Sequence, residues 1–146
     1  MIKNNDLRIR AVENKKELKQ VFKIRETVFV KEQNVSFGME KDEFDSTAKH
    51  FLFFYKNKPM GCARIRFIGK KAKLERIAIL KKYRGNGLGK LLIHHLIRHC
   101  KNKGISEIFM NSQYYLKKYY TNLGFKPTGK SFMEAGIKHI KMELTR

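Results

Sequence analysis

The sequence of 146 residues contains no tryptophan, only two prolines and only two cysteines. Both cysteines, Cys62 and Cys100, lie in apolar segments without a C-x-x-C partner, which predicts buried thiols rather than a disulfide or a metal site. No apolar run has the length of a membrane span, and the first residues alternate charged and apolar types rather than forming a secretory leader. These absences predict a cytoplasmic protein that is not inserted in a membrane.

Acidic residues are also scarce, with 13 Asp and Glu against 33 Lys and Arg, which gives a formal net charge of +20. A field of this sign attracts polyanions, so nucleic acid must be considered as a partner. The basic residues are spread through every segment, however, and never form a block of five. This distribution predicts a diffuse positive surface that binds nucleic acid only non-specifically.

The apolar residues, by contrast, are plentiful and periodic, which predicts one α/β domain over residues 1–146 with a genuine core. In the first half, a strand, a helix, a hairpin and a further strand are expected to build an antiparallel region. In the second half, a helix between two strands predicts a right-handed parallel crossover at the centre of the sheet, before a short helix and a terminal strand pair. The predicted strands are Leu7–Val12, His50–Tyr55, Met60–Ile68, Lys73–Leu80, Ile105–Ser112, Phe125–Lys130 and Ile137–Leu144.

The first helix is expected to begin at Asn14, with Glu17 at the capping-box position. Its apolar stripe runs from Leu18 to Phe29 and includes Arg25. Arg25 is interpreted either as a surface residue whose aliphatic stem covers apolar neighbours or as a contact for the substrate.

The helix that follows the glycine-rich turn is expected to extend to Lys103 and to bury one face. The residues predicted on that face are Leu88, Leu91, Leu92, Leu96 and Cys100.

An acidic cluster, Glu40, Asp42, Glu43 and Asp45, stands out in a chain this basic. Its carboxylates either pair with surrounding lysines at the surface or line a pocket for a cationic substrate. The spacing lacks the regular ligand positions and the glycine of a calcium loop. We expect surface ion pairs.

No metal site is predicted elsewhere. His95 and His99 have the spacing of a ligand pair on one helix face, but neither a third ligand nor an H-E-x-x-H pattern accompanies them. We expect these histidines to face solvent or to lie at the boundary between core and solvent.

The stretch Leu74–Lys90 predicts an anion site. An apolar strand ends in a basic turn that leads through glycines into a helix, and Arg84, Gly87 and Gly89 fit the pattern [QR]-x-x-G-x-[GA]. Glycines permit a tight turn and remove the Cβ atoms that would keep a ligand away. The first helical turn offers unpaired N–H groups at the positive end of the helix dipole. Such a turn forms a cradle for pyrophosphate, to which Arg84 and Lys90 add charge.

The chain contains two motifs, R-G-N-G-L-G from Arg84 and Y-x-x-L-G-F from Tyr120. In these motifs and in their separation along the chain, it resembles the GNAT superfamily of acyl-CoA-dependent N-acetyltransferases. The resemblance extends over nearly the whole chain. The blocks Val28–Gln33, Glu43–Asp45 and Glu134–Met142 are similar to one small bacterial branch. The resemblance implies a GNAT-type mixed sheet in which the central parallel strands splay apart, flanked by helices.

The resemblance also implies that acetyl-CoA is the ligand of the glycine turn, with no metal. Its pantetheine arm is then expected to pair with the free backbone of the strand before the turn, like an added strand. The glycine spacing is not the G-x-G-x-x-G of a dinucleotide site. The residues expected to bind the cofactor are Ile77, Ala78, Ile79, Arg84, Gly85, Asn86, Gly87, Leu88, Gly89, Lys90 and Gln113, the last of these opening the short helix.

Acetyl transfer requires an acid for the leaving thiolate and a donor for the oxyanion. By resemblance, Tyr120 is the expected acid, and a main-chain N–H near Ile77 is the expected oxyanion donor. Tyr119 is expected to be a core aromatic that anchors the short helix.

The base that deprotonates the amine stays open between two residues. His139 lies on a terminal strand that, by resemblance, borders the acceptor pocket, and its imidazole suits proton transfer at neutral pH. Strand alternation places Glu75 on the same face as Ile77 and Ile79, so it is expected to point towards the acyl site. Together with Arg25, these two residues are also the candidate substrate contacts.

We therefore expect direct transfer of an acetyl group from acetyl-CoA to a primary amine of a small molecule, such as an amine, amino acid or amino sugar. Neither cysteine lies in the motifs, which argues against a covalent thiol route. Two alternatives stay open, a protein lysine or N-terminal acetyltransferase and a non-catalytic CoA- or nucleic-acid-binding protein of this fold. The charge of +20 would repel basic protein tails and so favours a small acceptor. A homodimer is compatible with the resemblance.

Overall fold

The computed structural model describes residues 2–145 and contains a seven-stranded mixed sheet in the order β1-β2-β3-β4-β5-β7-β6. Only the neighbours β4 and β5 run parallel, and the other pairs are antiparallel. The predicted mixed sheet is confirmed. Its strands are β1 (Leu7–Ala11), β2 (Lys49–Tyr55), β3 (Lys58–Ile68), β4 (Lys71–Ile79), β5 (Glu107–Gln113), β6 (Lys126–Glu134) and β7 (Ile137–Thr145).

Helix α1 (Lys15–Arg25) begins at Asn14, whose side chain accepts a hydrogen bond from the backbone N–H of Glu17 as predicted. It continues directly into a π-helical segment, Glu26–Glu32, a rare geometry that is frequent at functional sites. None of the helices within residues 2–145 is long and apolar enough to cross a membrane. The remaining α-helices are α2 (Phe37–Glu40), α3 (Leu88–Asn102) and α4 (Lys117–Asn122).

Two apolar clusters lie on opposite faces of the sheet, one joined to α3 and the other to α1. The β3 neighbours Cys62 and Ala63 belong to different clusters, as strand alternation requires. Both cysteines are free and buried, as predicted. The predicted burial of Leu91 was wrong, because it lies one position off the inward stripe of α3 and is 44% exposed, while Ile93 is buried.

The parallel pair β4–β5 is short. Only Lys71–Lys73 pair with Glu107–Phe109. Beyond these residues the two strands separate, while β5 stays paired with β7 as far as Gln113 and His139. A V-shaped cleft opens as a result, and the backbone groups of the second half of β4 that face it lack a strand partner in the described part of the chain.

A β-bulge interrupts β4 where it borders this cleft. Cys62 pairs with Ala78 and Arg64 pairs with Glu75, so the single β3 residue between them faces both Arg76 and Ile77. Arg76 has a φ of 53°, in the left-handed region that bulges commonly use. One extra residue reverses the alternation of side chains beyond it.

The bulge overturns the expectation that Glu75 shares a face with Ile77 and Ile79. Glu75 bonds to Arg64 on the α1 side of the sheet, whereas both isoleucines pack against the cluster joined to α3. Gln113 also differs from expectation, since it ends β5 and a 3-10 turn separates it from α4.

Candidate active site

A cavity of about 810 Å³ occupies the V-shaped cleft. Its lining includes Leu88 and Tyr120 from the α3 side of the sheet and Phe29 and Glu75 from the α1 side. The cavity therefore passes through the sheet. This volume is in the range of cofactor and ligand sites.

At one end of the cavity, the glycine turn leads into α3. The helix begins after Gly87, which has a φ of 73°, and no side chain caps it. The N–H groups of its first turn therefore lack intrahelical acceptors and carry the positive end of the dipole. The space beside Gly85 and Gly87 is open, and both line the cavity together with Leu88 and Gly89. This arrangement fits a pyrophosphate group.

The polar side chains of this turn divide into two kinds. Arg84 lines the cavity, where its Nε donates to the last carbonyl of β4 over 2.8 Å and its Nη2 lies 2.8 Å from Glu32 Oε1. Asn86 instead donates to two carbonyls of the same turn and lies outside the lining with Lys90. Asn86 shapes the turn, and Lys90 contributes only long-range charge in this structure.

Tyr120 borders the cavity from α4 and is 6% exposed, with its ring packed edge-on against Phe125 and Tyr119. No hydrogen bond joins its hydroxyl to another residue within 2–145. Burial raises the pKa of Tyr120 above its ordinary value, so the hydroxyl stays protonated and is available as a donor.

Tyr119 is not the core aromatic that we predicted, because it is 39% exposed and Tyr120 takes the inner position. Its hydroxyl would lie 3.0 Å from a Cβ atom placed on Gly89. The missing side chain at Gly89 thus allows Tyr119 to approach the start of α3.

At the other end of the cavity, His139 lies opposite Gln113, buried and stacked on Phe132. Its Nδ1 lies 2.7 Å from the carbonyl oxygen of Ile137. A carbonyl only accepts hydrogen bonds, so Nδ1 carries a proton, and the lone pair of the neutral imidazole is then on Nε2. Nε2 lies 3.6 Å from Glu134 Oε2.

Sequence reasoning assigned no role to Glu134. The signal was present, because a tight turn between β6 and β7 pairs Glu134 with Ile137 and so brings it near His139. The predicted strand Phe125–Lys130 ended too early to show that pairing.

Glu75 borders the cavity but is held by three cations. Arg64 Nη2 lies 2.8 Å from its carboxylate, Arg66 Nε 2.7 Å and Lys73 Nζ 3.1 Å. Burial alone would raise the pKa of Glu75, but the hydrogen bond from Arg66 and the charges of Arg64 and Lys73 lower it to about 2. Glu75 is therefore ionised at neutral pH and a poor proton acceptor.

Arg25 fits neither of its two interpretations. It is 0% exposed and lies outside the cavity lining. Its Nε donates to Glu40 Oε2 and its Nη1 to Asp45 Oδ1, each over 2.7 Å. The loop that carries the acidic cluster folds over α1 and supplies the opposite charge that permits this burial.

The predicted surface pairs with lysines were therefore wrong for most of the acidic cluster. Its carboxylates pair mainly with buried or half-buried arginines, among them Arg64 with Asp42 and Asp45. Glu43 makes no ion pair within residues 2–145. We call the assembly the arginine–carboxylate network, and its members are Arg25, Arg64, Arg66, Lys73, Arg76, Glu40, Asp42, Asp45 and Glu75.

Gln113 lines the cavity and contacts a residue that sequence reasoning did not select. Its Nε2 donates to Gln33 Oε1 over 2.7 Å. The bond joins the end of β5 to the segment after the π-helix, 80 positions away in the chain. No local sequence pattern indicates such a pair.

The residues described here contain no group of three or more His, Cys, Asp or Glu side chains able to hold a metal ion. The groups that this site offers include a histidine, a tyrosine and the N–H groups at the uncapped start of α3.

Comparisons with known proteins agree with this geometry. A family model described as an acetyltransferase (GNAT) domain matches residues 11–146. The chain is 39% identical to the uncharacterized Bacillus subtilis protein YyaT over 93% of this chain and 94% of YyaT. It is 36% identical to the uncharacterized N-acetyltransferase YjcF of the same organism, over 88% and 93%. The structure of an acyl-CoA N-acyltransferase from Pseudomonas aeruginosa superposes with a TM-score of 0.85 at 22% identity, covering 96% of this chain and 99% of that one.

Proposed function

The chain belongs to the GNAT family of acetyltransferases, and from that premise we propose that it transfers an acetyl group from acetyl-CoA to a primary amine of a small molecule. The observation that carries the proposal is the cavity itself, which connects the uncapped start of α3 to His139 through the open sheet. When bound, acetyl-CoA supplies a thioester that an amine can attack.

The turn residues Arg84, Gly85, Gly87 and Gly89 would hold the pyrophosphate with the free N–H groups of α3. The backbone groups of β4 beyond Lys73 that face the cleft, which lack a strand partner in the described part of the chain, would hold the pantetheine arm as an added strand. Both elements are fixed by the fold, so the binding groups are in place before the ligand arrives.

His139 is the base in this proposal. A typical alkylammonium has a pKa of roughly 10 and must lose a proton before it can attack a thioester. The Nε2 lone pair of His139 accepts that proton, directly or through a water, and Glu134 stabilises the resulting charge. Glu75 is set aside as a base because its pKa is about 2.

The bulge and Tyr120 would stabilise the two negative charges of the reaction, on the carbonyl oxygen and on the leaving sulfur. The backbone N–H at Ile77, in the bulge, would donate to the oxygen on which negative charge develops as the C–N bond forms. As the C–S bond breaks, Tyr120 would give its proton to the departing thiolate and then regain a proton from solvent. No cysteine takes part, since both are buried outside the cavity lining and burial raises the pKa of Cys62 to about 12.

A small acceptor is preferred to a basic protein tail because the net charge of +20 repels lysine-rich segments.

The test is a thiol-release assay with acetyl-CoA and a panel of primary amines, alongside calorimetric titration with acetyl-CoA. We expect saturable one-to-one binding and a saturable rate with at least one small amine.

Replacing His139 by glutamine should lower kcat about 100-fold, and the rate of this variant should recover at high pH as the free amine population grows. The matched control is His94→Gln, on the exposed face of α3 and outside the cavity lining. Equal rates for the two variants would remove His139 from the base role, and absence of acetyl-CoA binding would end the proposal.

A further inference from the structure

The arginine–carboxylate network carries more positive than negative charge. Its five cations, Arg25, Arg64, Arg66, Lys73 and Arg76, meet only four carboxylates, Glu40, Asp42, Asp45 and Glu75. The adjacent His50 adds no charge at neutral pH, because burial lowers its pKa. One positive charge is therefore left without a partner inside the network.

The excess lies at the end that faces the cavity. Arg25 and Arg76 share Glu40, and Arg64 contacts Asp42 and Asp45 as well as Glu75. Arg66 and Lys73, in contrast, have Glu75 as their only acidic partner among residues 2–145.

Arg66 and Lys73 are partly withdrawn from water yet accessible from the cavity. Their side chains are 17% and 14% exposed, and both line the cavity. The Arg66 guanidinium also stacks over the Phe44 ring, 3.8 Å from its centroid, which fixes its plane. A half-buried cation without a full counter-charge favours binding of an anion that restores neutrality.

We propose that the acceptor amine carries an anionic group, a carboxylate or a phosphate, which binds between Arg66 and Lys73. This inference rests on the proposed acetyl transfer to a small amine and names the class of that amine. It does not support the alternative of a pocket for a cationic substrate, because the carboxylates that suggested one are paired with arginines.

The sheet register also indicates how far the anionic group of this acceptor lies from its amine. Arg66 pairs with Lys73, and Lys73 pairs with Phe109 at the closed end of the cleft. His139 pairs with Gln113, four residues further along β5, which is roughly 13 Å of strand. The anionic group and the amine therefore bind at different ends of the site, so a chain of several bonds separates them.

The experiment compares amine acceptors of similar length that end in a carboxylate, a neutral amide or a phosphate. We would measure KM and kcat by thiol release for 5-aminopentanoate, its amide and an aminoalkyl phosphate of similar length. The amide should show a KM at least tenfold higher than the better of the two anions, and the ranking of the two anions distinguishes carboxylate from phosphate. Lys73→Gln should raise KM for that anion about tenfold while leaving kcat/KM for the amide within twofold.

A matched variant controls for the loss of one lysine from the same face of the sheet. Lys141 lies on β7, pairs with Glu143 over 3.1 Å and is outside the cavity lining. Lys141→Gln should leave the KM for every acceptor unchanged. Equal KM values for anion and amide, or equal effects of the two lysine variants, would overturn the inference.

Calorimetric titration of the same acceptors into the CoA-saturated protein separates this inference from the proposed function. Binding that depends on the acceptor's charge and on Lys73, without turnover of any amine, would retain the anion site and reject the acetyl transfer. Binding that is indifferent to both would reject the anion site even if amines are acetylated.

Discussion

Backbone groups form most of one end of the cavity, and side chains form the other end. The end at α3 is formed mainly by backbone: glycines leave N–H groups uncovered, and Arg84 is the one cationic side chain that the described glycine turn contributes to the lining. The end towards α1 is formed by side chains, where the five cations and four carboxylates of the arginine–carboxylate network, from four separate segments of the chain, form ion pairs. The first end is therefore set by a few consecutive residues, whereas the second depends on partners far apart in sequence.

This difference predicts different consequences of mutation. At the backbone end, a new side chain obstructs the ligand while the fold persists. At the charged end, loss of one group leaves another buried and unpaired, so the damage is to stability. The three substitutions below test this contrast, from the largest expected free-energy change to the smallest.

Asp45→Asn should be the most damaging. Asp45 accepts hydrogen bonds from Arg25 and Arg64, two arginines that are at most 1% exposed. Loss of its charge leaves both guanidiniums short of a counter-ion, which costs about 3–5 kcal/mol in the free energy of unfolding. Urea denaturation at pH 7 measures this change. Glu43→Gln is the control, because Glu43 lies in the same loop and makes no ion pair in the described structure. Its free energy of unfolding should stay within about 0.5 kcal/mol of the wild-type value.

The pH dependence of stability sharpens this test. Burial would raise the pKa of Asp45, but hydrogen bonds and charge from Arg25 lower it to about 2, against about 4 in the unfolded chain. A lowered pKa stabilises the fold above pH 4, and that contribution is lost as the pH falls from about 4 to 2. The wild type should lose more stability across this window than Asp45→Asn, and parallel curves would contradict the pairing.

The same contrast explains how much of the molecule could be predicted from the sequence. The glycine turn is local, so spacing alone located it, and periodicity located all seven strands. The network could not be found this way, because Arg25 and Asp45 are 20 positions apart and Arg76 and Glu40 are 36 apart. An arginine on an apolar stripe has no visible partner until the chain is folded.

The error at Glu75 has a narrower cause. Alternation correctly describes a regular strand, but a single inserted residue at Arg76 moves Glu75 to the opposite face from Ile77. An arginine in the sequence does not predict a left-handed backbone conformation, whereas a glycine at the same position would suggest one. The bulge is a result of cross-strand register, which one strand's sequence does not contain.

Gly87→Glu should act at the backbone end without unfolding the protein. The substitution places a carboxylate at the mouth of the cradle, where it repels phosphates and competes for the N–H groups of α3. We expect acetyl-CoA affinity to fall at least 100-fold, or about 2.7 kcal/mol by calorimetry. The left-handed φ of 73° adds about 1–2 kcal/mol of conformational strain.

Gly69→Glu controls for that strain and for the added charge. Gly69 also has a left-handed φ, of 60°, and open space around it, but it lies in the β3–β4 turn outside the cavity lining. The Gly69→Glu variant should lose about as much stability as Gly87→Glu and keep the wild-type affinity for acetyl-CoA. Equal affinities in the two variants would refute the pyrophosphate cradle.

Tyr120→Phe should have the smallest effect on free energy and the most specific one. The ring stays packed against Phe125, so stability and acetyl-CoA affinity should change little, while loss of the proton donor lowers kcat roughly 10–100-fold, about 1.4–2.7 kcal/mol. Stopped-flow thiol release measures this step, and Tyr119→Phe, which removes a more exposed hydroxyl from the neighbouring position, should leave kcat within about threefold. If the two variants lose activity equally, the acid is not Tyr120, and the backbone end of the cavity would then have to supply the proton through water instead of a side chain.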